Sequence, residues 1–503
     1  MKRLAVALAA ILSIAAGLWQ LRDATTGVDV TRERVGTVPV TVFRPASGPA
    51  APAVVIAHGF AGSQQLMQPF ALTLARNGYV ALTFDFPGHA RNPTPLPGGL
   101  ADRDARTRAL VGALEAVLAH ARGLPQTDGR VALIGHSMAS DVVVRYAEAH
   151  PEIAATVAVS LFLSGEITAN RPRNLLVIDG ALEPARLIEE GRRVVGMAAG
   201  GAAREGVTYG SFAEGSARRL GLADGVEHIG VLYSRDSMAE ALAWLNQAFG
   251  RTGTGFLDAR AGALGLLYLG LVALAWPLAA LLPRVTPVRL GAGLRWRELA
   301  PLAIVPALLT PLILWPLPGG FLPLLLGDYL VLHFALYGLL TFAGLWFVRR
   351  ERPTVPVSRG KLAIAALAVA VYGITALGMP TDWFITSFVP GRERAPLVLA
   401  MLAGTLPYFV ADEWLTRGPI APRGGYAATK VCFLVSLVLA IALNLAKLFF
   451  LAIIVPAIVA FFVVYGLISR WAYRRTNHPL AGALANAVVF AWAIAAVFPI
   501  VSR

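Results

Sequence analysis

The apolar positions of this chain come in two textures. Behind Met1, Lys2 and Arg3, residues 4–21 are apolar almost without a break, about 18 residues, which would cross a bilayer at ~1.5 Å per residue. This run reads as a signal anchor or a signal peptide, and the poor small-residue site Ser13, Ile14, Ala15, Ala16 favours the uncleaved anchor. From residue 35 the spacing changes to period two over 38–43, then to the short apolar run 53–57, the kind of strand buried on both faces of a parallel sheet. A helix is expected over 69–77, a strand over 79–84, a long helix over 101–122 and a strand entering from Val131. Helix 140–150, strands 155–162 and 174–178, helix 184–195, strand 216–223 and helix 237–249 complete the series. Such alternation predicts an α/β domain, a doubly wound and mostly parallel sheet with helices on both faces.

From residue 256 the texture becomes long apolar runs separated by short loops. Spans are expected at 261–282, 299–317, 321–348, 362–377, 395–410, 431–447, 448–468 and 480–501, nine with the first segment. The block from Val431 is broken by Asn444, Lys447 and Pro456 and reads as a tight hairpin. The expected division is an anchor over 1–22, an α/β domain over 30–252 and an all-α polytopic membrane domain over 256–503.

Composition agrees with this split. Of 503 residues 56% are hydrophobic, and the mean hydropathy of +0.62 exceeds that of a soluble enzyme. The formal charge of +14 would suit nucleic acid, but many of the basic residues flank the apolar runs. Arg284, Arg289, Arg295 and Arg297 fall in one loop, and Arg349, Arg350, Arg352, Arg359 and Lys361 in another. Arg417, Arg423 and Lys430, then Arg470, Arg474 and Arg475, mark two more. These loops share the side of Lys2 and Arg3, so the positive-inside rule makes them cytoplasmic in an inner (plasma) membrane. The α/β domain is then periplasmic or extracellular, and the partner is a lipid bilayer, not nucleic acid. The loop 378–394 departs from the rule with Arg392 and Arg394, and its Trp383, Phe384 and Phe388 are expected at the membrane interface. Asp412, Glu413 and Lys447 are expected to be interfacial as well. Asp328 and His333, five apart in a span, are divided evenly between a polar cavity and a structural role. The one cysteine, Cys432, excludes an intrachain disulfide and a cysteine-based metal site. The sequence carries no signal of oligomeric state.

The chemistry centres on residues 131–140, VALIGHSMAS. A buried strand runs into Gly135-His136-Ser137-Met138-Ala139 and then a helix, the arrangement of a nucleophile elbow, with Ala139 where the usual G-x-S-x-G has its second glycine. Upstream, His58-Gly59-Phe60-Ala61-Gly62 follows one strand and Asp85-Phe86-Pro87-Gly88-His89 the next. With an acid and a histidine downstream, in the order Ser, acid, His, residues 35–250 resemble the α/β-hydrolase fold superfamily, specifically its esterase and dienelactone-hydrolase-like members.

The resemblance implies the site residues. The acid belongs in the loop after strand 174–178, where Glu183 matches the family's register and Asp179, which also reads as a turn-starting residue before Gly180, is the alternative. His228, in the loop before the last helix of the domain, takes the base position. The backbone N–H groups of Phe60 and Met138 take the oxyanion hole. No metal or organic cofactor is implied. A serine hydroxyl needs a base, and the base a carboxylate, so this set implies ester hydrolysis through an acyl-enzyme on Ser137, with a small-molecule or lipid ester as substrate. Two alternatives stand beside it: acyl transfer with the same triad, and a membrane transport or scaffold protein whose hydrolase-like domain only binds.

Overall fold

The computed structural model describes residues 1–99, 102–348 and 355–502. It separates into two compact units. The larger comprises Ala15–Leu266 together with Thr381–Ser387 and the residues from Pro499. It takes in residues on both sides of the stretch 30–252 and two short pieces of the apolar half.

Its core is one eight-stranded sheet in the order β1-β2-β4-β3-β5-β6-β7-β8. The strands are β1 (Val28–Val35), β2 (Val38–Pro45), β3 (Ala51–Ala57), β4 (Val80–Phe84), β5 (Thr127–His136), β6 (Ile153–Val159), β7 (Leu175–Gly180) and β8 (Arg218–Ala223). β1 and β2 pair antiparallel, as do β2 and β4, and every later pair is parallel. β1 was not expected from sequence. It is an edge strand whose alternation Val28, Val30 among Asp29, Thr31, Arg32 and Glu33 is too polar to signal burial.

Side-chain alternation sorts the central strand β3 between two cores. Val54 and Ile56 join Phe70, Leu74, Met238, Trp244 and Leu245 from α2 (Gln68–Arg76) and α6 (Arg235–Phe249). Ala53, Val55 and Ala57 join Leu114, Val117, Leu118, Val142 and Val143 from α3 (Arg103–Gly123) and α4 (Met138–Ala149). Helices thus cover both faces, which is why the strand is apolar at every position. Truncating one such residue, Ile56→Ala, would cost about 2–5 kcal/mol. The helix expected from 101 begins at Arg103, Ala101 lying outside the described residues, and α5 (Ala185–Ala199) follows β7.

The smaller unit is helical. Among the described residues, nine helices of the chain, counting α1 (Lys2–Asp23), are long and apolar enough to cross a membrane. They continue with α7 (Ala261–Leu278), α8 (Trp296–Leu314), α9 (Gly327–Phe347) and α10 (Arg359–Val371), which runs on through a π turn, Tyr372–Leu377, into α11 (Gly378–Phe384). The remainder are α12 (Ala395–Thr416), α13 (Gly425–Leu443), α14 (Leu445–Thr476) and α15 (Leu480–Val497). The hairpin breaks at Asn444 alone; Pro456 is carried inside α14.

The polar residues singled out in the apolar half have specific surroundings. Asp412 and Glu413 are buried within the helical unit and pair with Lys430 and Arg417, respectively; Lys447 is exposed. Asp328 and His333 do not meet: Asp328 accepts from the N–H groups of Gly320 and Tyr329, while His333 Nδ1 bonds the Tyr329 hydroxyl at 3.1 Å. Phe388 is buried, its carbonyl accepting from Trp492 Nε1 at 2.8 Å, and so is no interfacial anchor. The expected basic residues Arg349, Arg350 and Arg352 lie outside the described residues.

Candidate active site

The elbow is built by the crossing of β5 into α4. Ser137 has φ 53 and ψ −117, a conformation that L-residues avoid, held by its N–H on the Val159 carbonyl at 2.9 Å. The crossing is so tight that a Cβ on Gly135 would fall 2.4 Å from the Ala139 carbonyl oxygen. Only glycine fits there. Ala139 itself is fully buried, and its methyl sits in the core shared by α3 and α4, so the missing second glycine is accommodated.

Two loops bring the partners to Ser137. The Gly180 and Val226 turns pack backbone to backbone: a Cβ on Gly180 would meet the Val226 carbonyl oxygen at 2.5 Å, and the Leu182 N–H bonds that carbonyl at 3.0 Å. In the second loop Glu227 accepts from the N–H groups of Ile229 and Gly230 at 2.8 and 2.9 Å, which fixes the turn carrying His228. His228 Nδ1 then lies 2.9 Å from Glu183 Oε2, and His228 Nε2 lies 2.9 Å from Ser137 Oγ. The bonding requires the proton on Nδ1, leaving Nε2 to accept from the serine hydroxyl.

The structure therefore brings Glu183, and not Asp179, to the histidine. Glu183 Oε1 accepts from Ser160 Oγ at 2.6 Å and from the Gly180 N–H at 2.9 Å. Burial alone would raise the Glu183 carboxyl; the bonds from His228, Gly180 and Ser160 outweigh it and hold the group below its usual value. Asp179 Oδ1 accepts from the Leu161 N–H at 3.1 Å, and its Oδ2 has no hydrogen-bond partner among the described residues. Burial, then the neighbouring Glu183 charge, push Asp179 up to about 8, so it is neutral at pH 7. Two adjacent carboxyls with opposite environments divide the roles: one ionised and aimed at the histidine, one protonated and structural.

The loop of the expected oxyanion hole lies against the serine. A Cβ on Gly59 would stand 3.0 Å from Ser137 Cβ and 2.9 Å from His136 Nδ1, so glycine is what lets the Phe60 backbone approach. Met138 is the first residue of α4, and its N–H has no intrahelical acceptor. Ser63, just beyond this loop, is braced by the segment 381–387: its Oγ accepts from the Ser387 N–H at 3.0 Å and lies 3.1 Å from Thr386 Oγ1.

Sequence reasoning missed three supporting residues. Ser160, at φ 54, is placed by the end of β6 to hold Glu183. His136, read only as part of the turn, holds the His228 carbonyl by Nε2 at 2.9 Å; burial lowers it to about 3, so it stays neutral and can donate. His58 is likewise lowered, to about 4, by burial, and accepts from the Phe86 N–H at 3.2 Å. A small side chain just past a strand end was the available signal for Ser160; nothing in the sequence pointed to the other two. Among the described residues no group of three or more His, Cys, Asp or Glu side chains could hold a metal ion.

Comparison with known proteins follows this geometry. Residues 48–178 match a hydrolase family described as serine aminopeptidase, S33. No curated protein matches the sequence. Similar solved structures include a provisionally assigned dienelactone hydrolase from Klebsiella pneumoniae, at 15% identity and TM-score 0.34, covering 45% of this chain and 99% of that one. A hydrolase described as CIB-like, from Thermoplasma acidophilum, gives 14% identity and TM-score 0.32 over 45% and 99%. A membrane phospholipase A described as a bacterial virulence factor gives 14% and 0.31 over 50% and 99%. By its sheet order, its elbow and this family match, the chain carries a domain of the α/β-hydrolase fold, part of which matches a hydrolase family, followed by a region of apolar helices.

Proposed function

We propose that this protein is a membrane-anchored serine hydrolase of carboxylic esters, acting through an acyl-enzyme on Ser137. The observation that carries the reading is the continuous chain from Ser137 Oγ to His228 to Glu183, with 2.9 Å at each link. In this reading Ser137 Oγ attacks the ester carbonyl as its proton passes to His228 Nε2. The N–H groups of Phe60 and Met138 receive the oxyanion, and Glu183 holds the imidazolium that forms. His228 returns the proton to the leaving alcohol, and water then repeats the sequence to release the acid and restore the serine.

A lipid or other long-chain ester suits the surroundings. Phe162 and Leu182, on the loops that carry Ser160 and Glu183, are 50% and 66% exposed, an apolar rim for an acyl chain. The apolar helices would hold the domain at the bilayer, and the basic loops favour an outward-facing hydrolase. The test is labelling of the detergent-solubilised protein with a fluorescent fluorophosphonate. Labelling of the wild type that disappears in Ser137→Ala and falls steeply in His228→Ala is expected. A folded wild type that takes no label would replace this reading with a binding role.

A further inference from the structure

The helical unit contains a cavity that the hydrolase reading does not use. It has a volume of about 250 Å³ and is lined by Arg3, Arg284, Arg474, Arg475, Trp276 and Trp471, with Ala279 and Ala280. No acidic side chain lines it. None of the four arginines forms an ion pair among the described residues, whereas Arg417 and Lys430 of the same unit each have a carboxylate. Arg475 is anchored by its Nε on the Leu282 carbonyl at 2.8 Å, and the Arg3 guanidinium lies 5.8 Å from the centre of the Trp276 ring. Four like charges around one hollow repel each other, so the fold bears a cost that an anion would relieve. The four come from three separate stretches: the start of α1, the connection after α7 and the end of α14.

We propose that this cavity is a binding site for a phosphate group. Planar guanidinium forks match phosphate oxygens two at a time, which favours phosphate over a halide. The volume lies below the roughly 300–1,000 Å³ of sites for drug-sized ligands, which suits a headgroup and not a whole nucleotide. Two tryptophans beside arginines at the ends of apolar helices are the composition expected at the headgroup level of a membrane. The phosphate can belong to an anionic lipid or be free in solution, and the site chemistry is the same for both.

The test uses the full-length protein in detergent. Dioleoylphosphatidylglycerol is titrated by native mass spectrometry, and inorganic phosphate by its effect on the melting temperature, for the wild type, Arg3→Gln/Arg474→Gln and Arg284→Gln. Saturable binding of one phosphatidylglycerol, weakened on the order of tenfold or more in the double variant, is expected for a lipid headgroup. An arginine-dependent melting shift with inorganic phosphate, without lipid retention, identifies free phosphate instead. Wild-type and variant proteins that respond equally to both probes overturn the proposal. Arg284→Gln guards against a misfolded double variant, and Arg474→Lys separates fork geometry from charge, since it should recover only part of the affinity.

Discussion

Both units bury charge, and the Asp412–Glu413 network and the Glu183 site manage it in opposite ways. In the helical unit Asp412 accepts from Lys430 Nζ and from Thr429 Oγ1, and Glu413 accepts from Arg417 Nε at 2.8 Å and from Ser469. Each carboxylate has its own cation, and Lys430 also lies against the rings of Tyr426, Tyr408 and Phe462 at 4.4, 5.1 and 5.2 Å. In the hydrolase unit Glu183 has no permanent cation. Its partner is a histidine whose own partner is a strained serine hydroxyl, and Asp179 beside it is unpaired. A closed pair leaves no uncompensated charge in the fold as long as both partners are present. A carboxylate whose counter-charge appears only when a proton moves is what the proposed reaction requires.

The comparison breaks most readily at Ser137. Ser137→Ala removes the proposed nucleophile and leaves the backbone unchanged, so the proposed ester hydrolysis should fall by on the order of 10³–10⁶ while the melting temperature stays put. Turnover of a short-chain p-nitrophenyl ester alongside a thermal melt checks both halves. Glu183→Gln should cost about 10⁴ in kcat, because an amide no longer holds the Nδ1–H tautomer of His228. If instead Asp179→Asn carries that loss, the assignment of the two carboxyls is reversed.

The helical unit should answer in stability. Lys430→Met leaves Asp412 buried without its cation, and about 3–5 kcal/mol of stability should go with it. Denaturation in mixed micelles would measure the loss, and Lys430→Met/Asp412→Leu should recover much of it. Hydrolysis per folded molecule should not change. A variant that melts like the wild type but loses turnover would move this network from scaffold to function.

Legibility followed the same division. Elements signalled by local pattern were readable: the apolar strand β3, the elbow at Ser137, and most of the spans. Glu183 could be chosen over Asp179 only through a family register, because both sit in one loop and what separates them is which oxygen reaches His228. Residues whose role lies in a long-range bond were invisible. Ser160 and Glu183 are 23 apart in sequence, His136 and the His228 carbonyl 92 apart. The edge strand β1 hid behind its charges, and Asp412 and Glu413 read as interfacial because they end an apolar run: the cation of Asp412, Lys430, lies on the next helix, and that of Glu413, Arg417, four residues on, read as part of a basic loop.

The effect at Asp179 is the most specific. Asp179 is raised from 3.8 to about 8 in the fold, first by burial and then by Glu183. Below about pH 4 the carboxyl is protonated in both the folded and the unfolded chain, and it contributes no pH dependence. Between about pH 4 and pH 8 the unfolded chain releases a proton that the folded chain retains, so unfolding gains and stability falls as pH rises. Asparagine keeps an acceptor for the Leu161 N–H and has no proton to release. Asp179→Asn should therefore change the melting temperature little at pH 5 and raise it at pH 8.5, with ester turnover near that of the wild type throughout. A melting difference that stays level with pH would mean that Asp179 is ionised in the fold. The two units would then differ less than they do here, since the hydrolase unit would also have to supply a counter-charge for a second buried carboxylate.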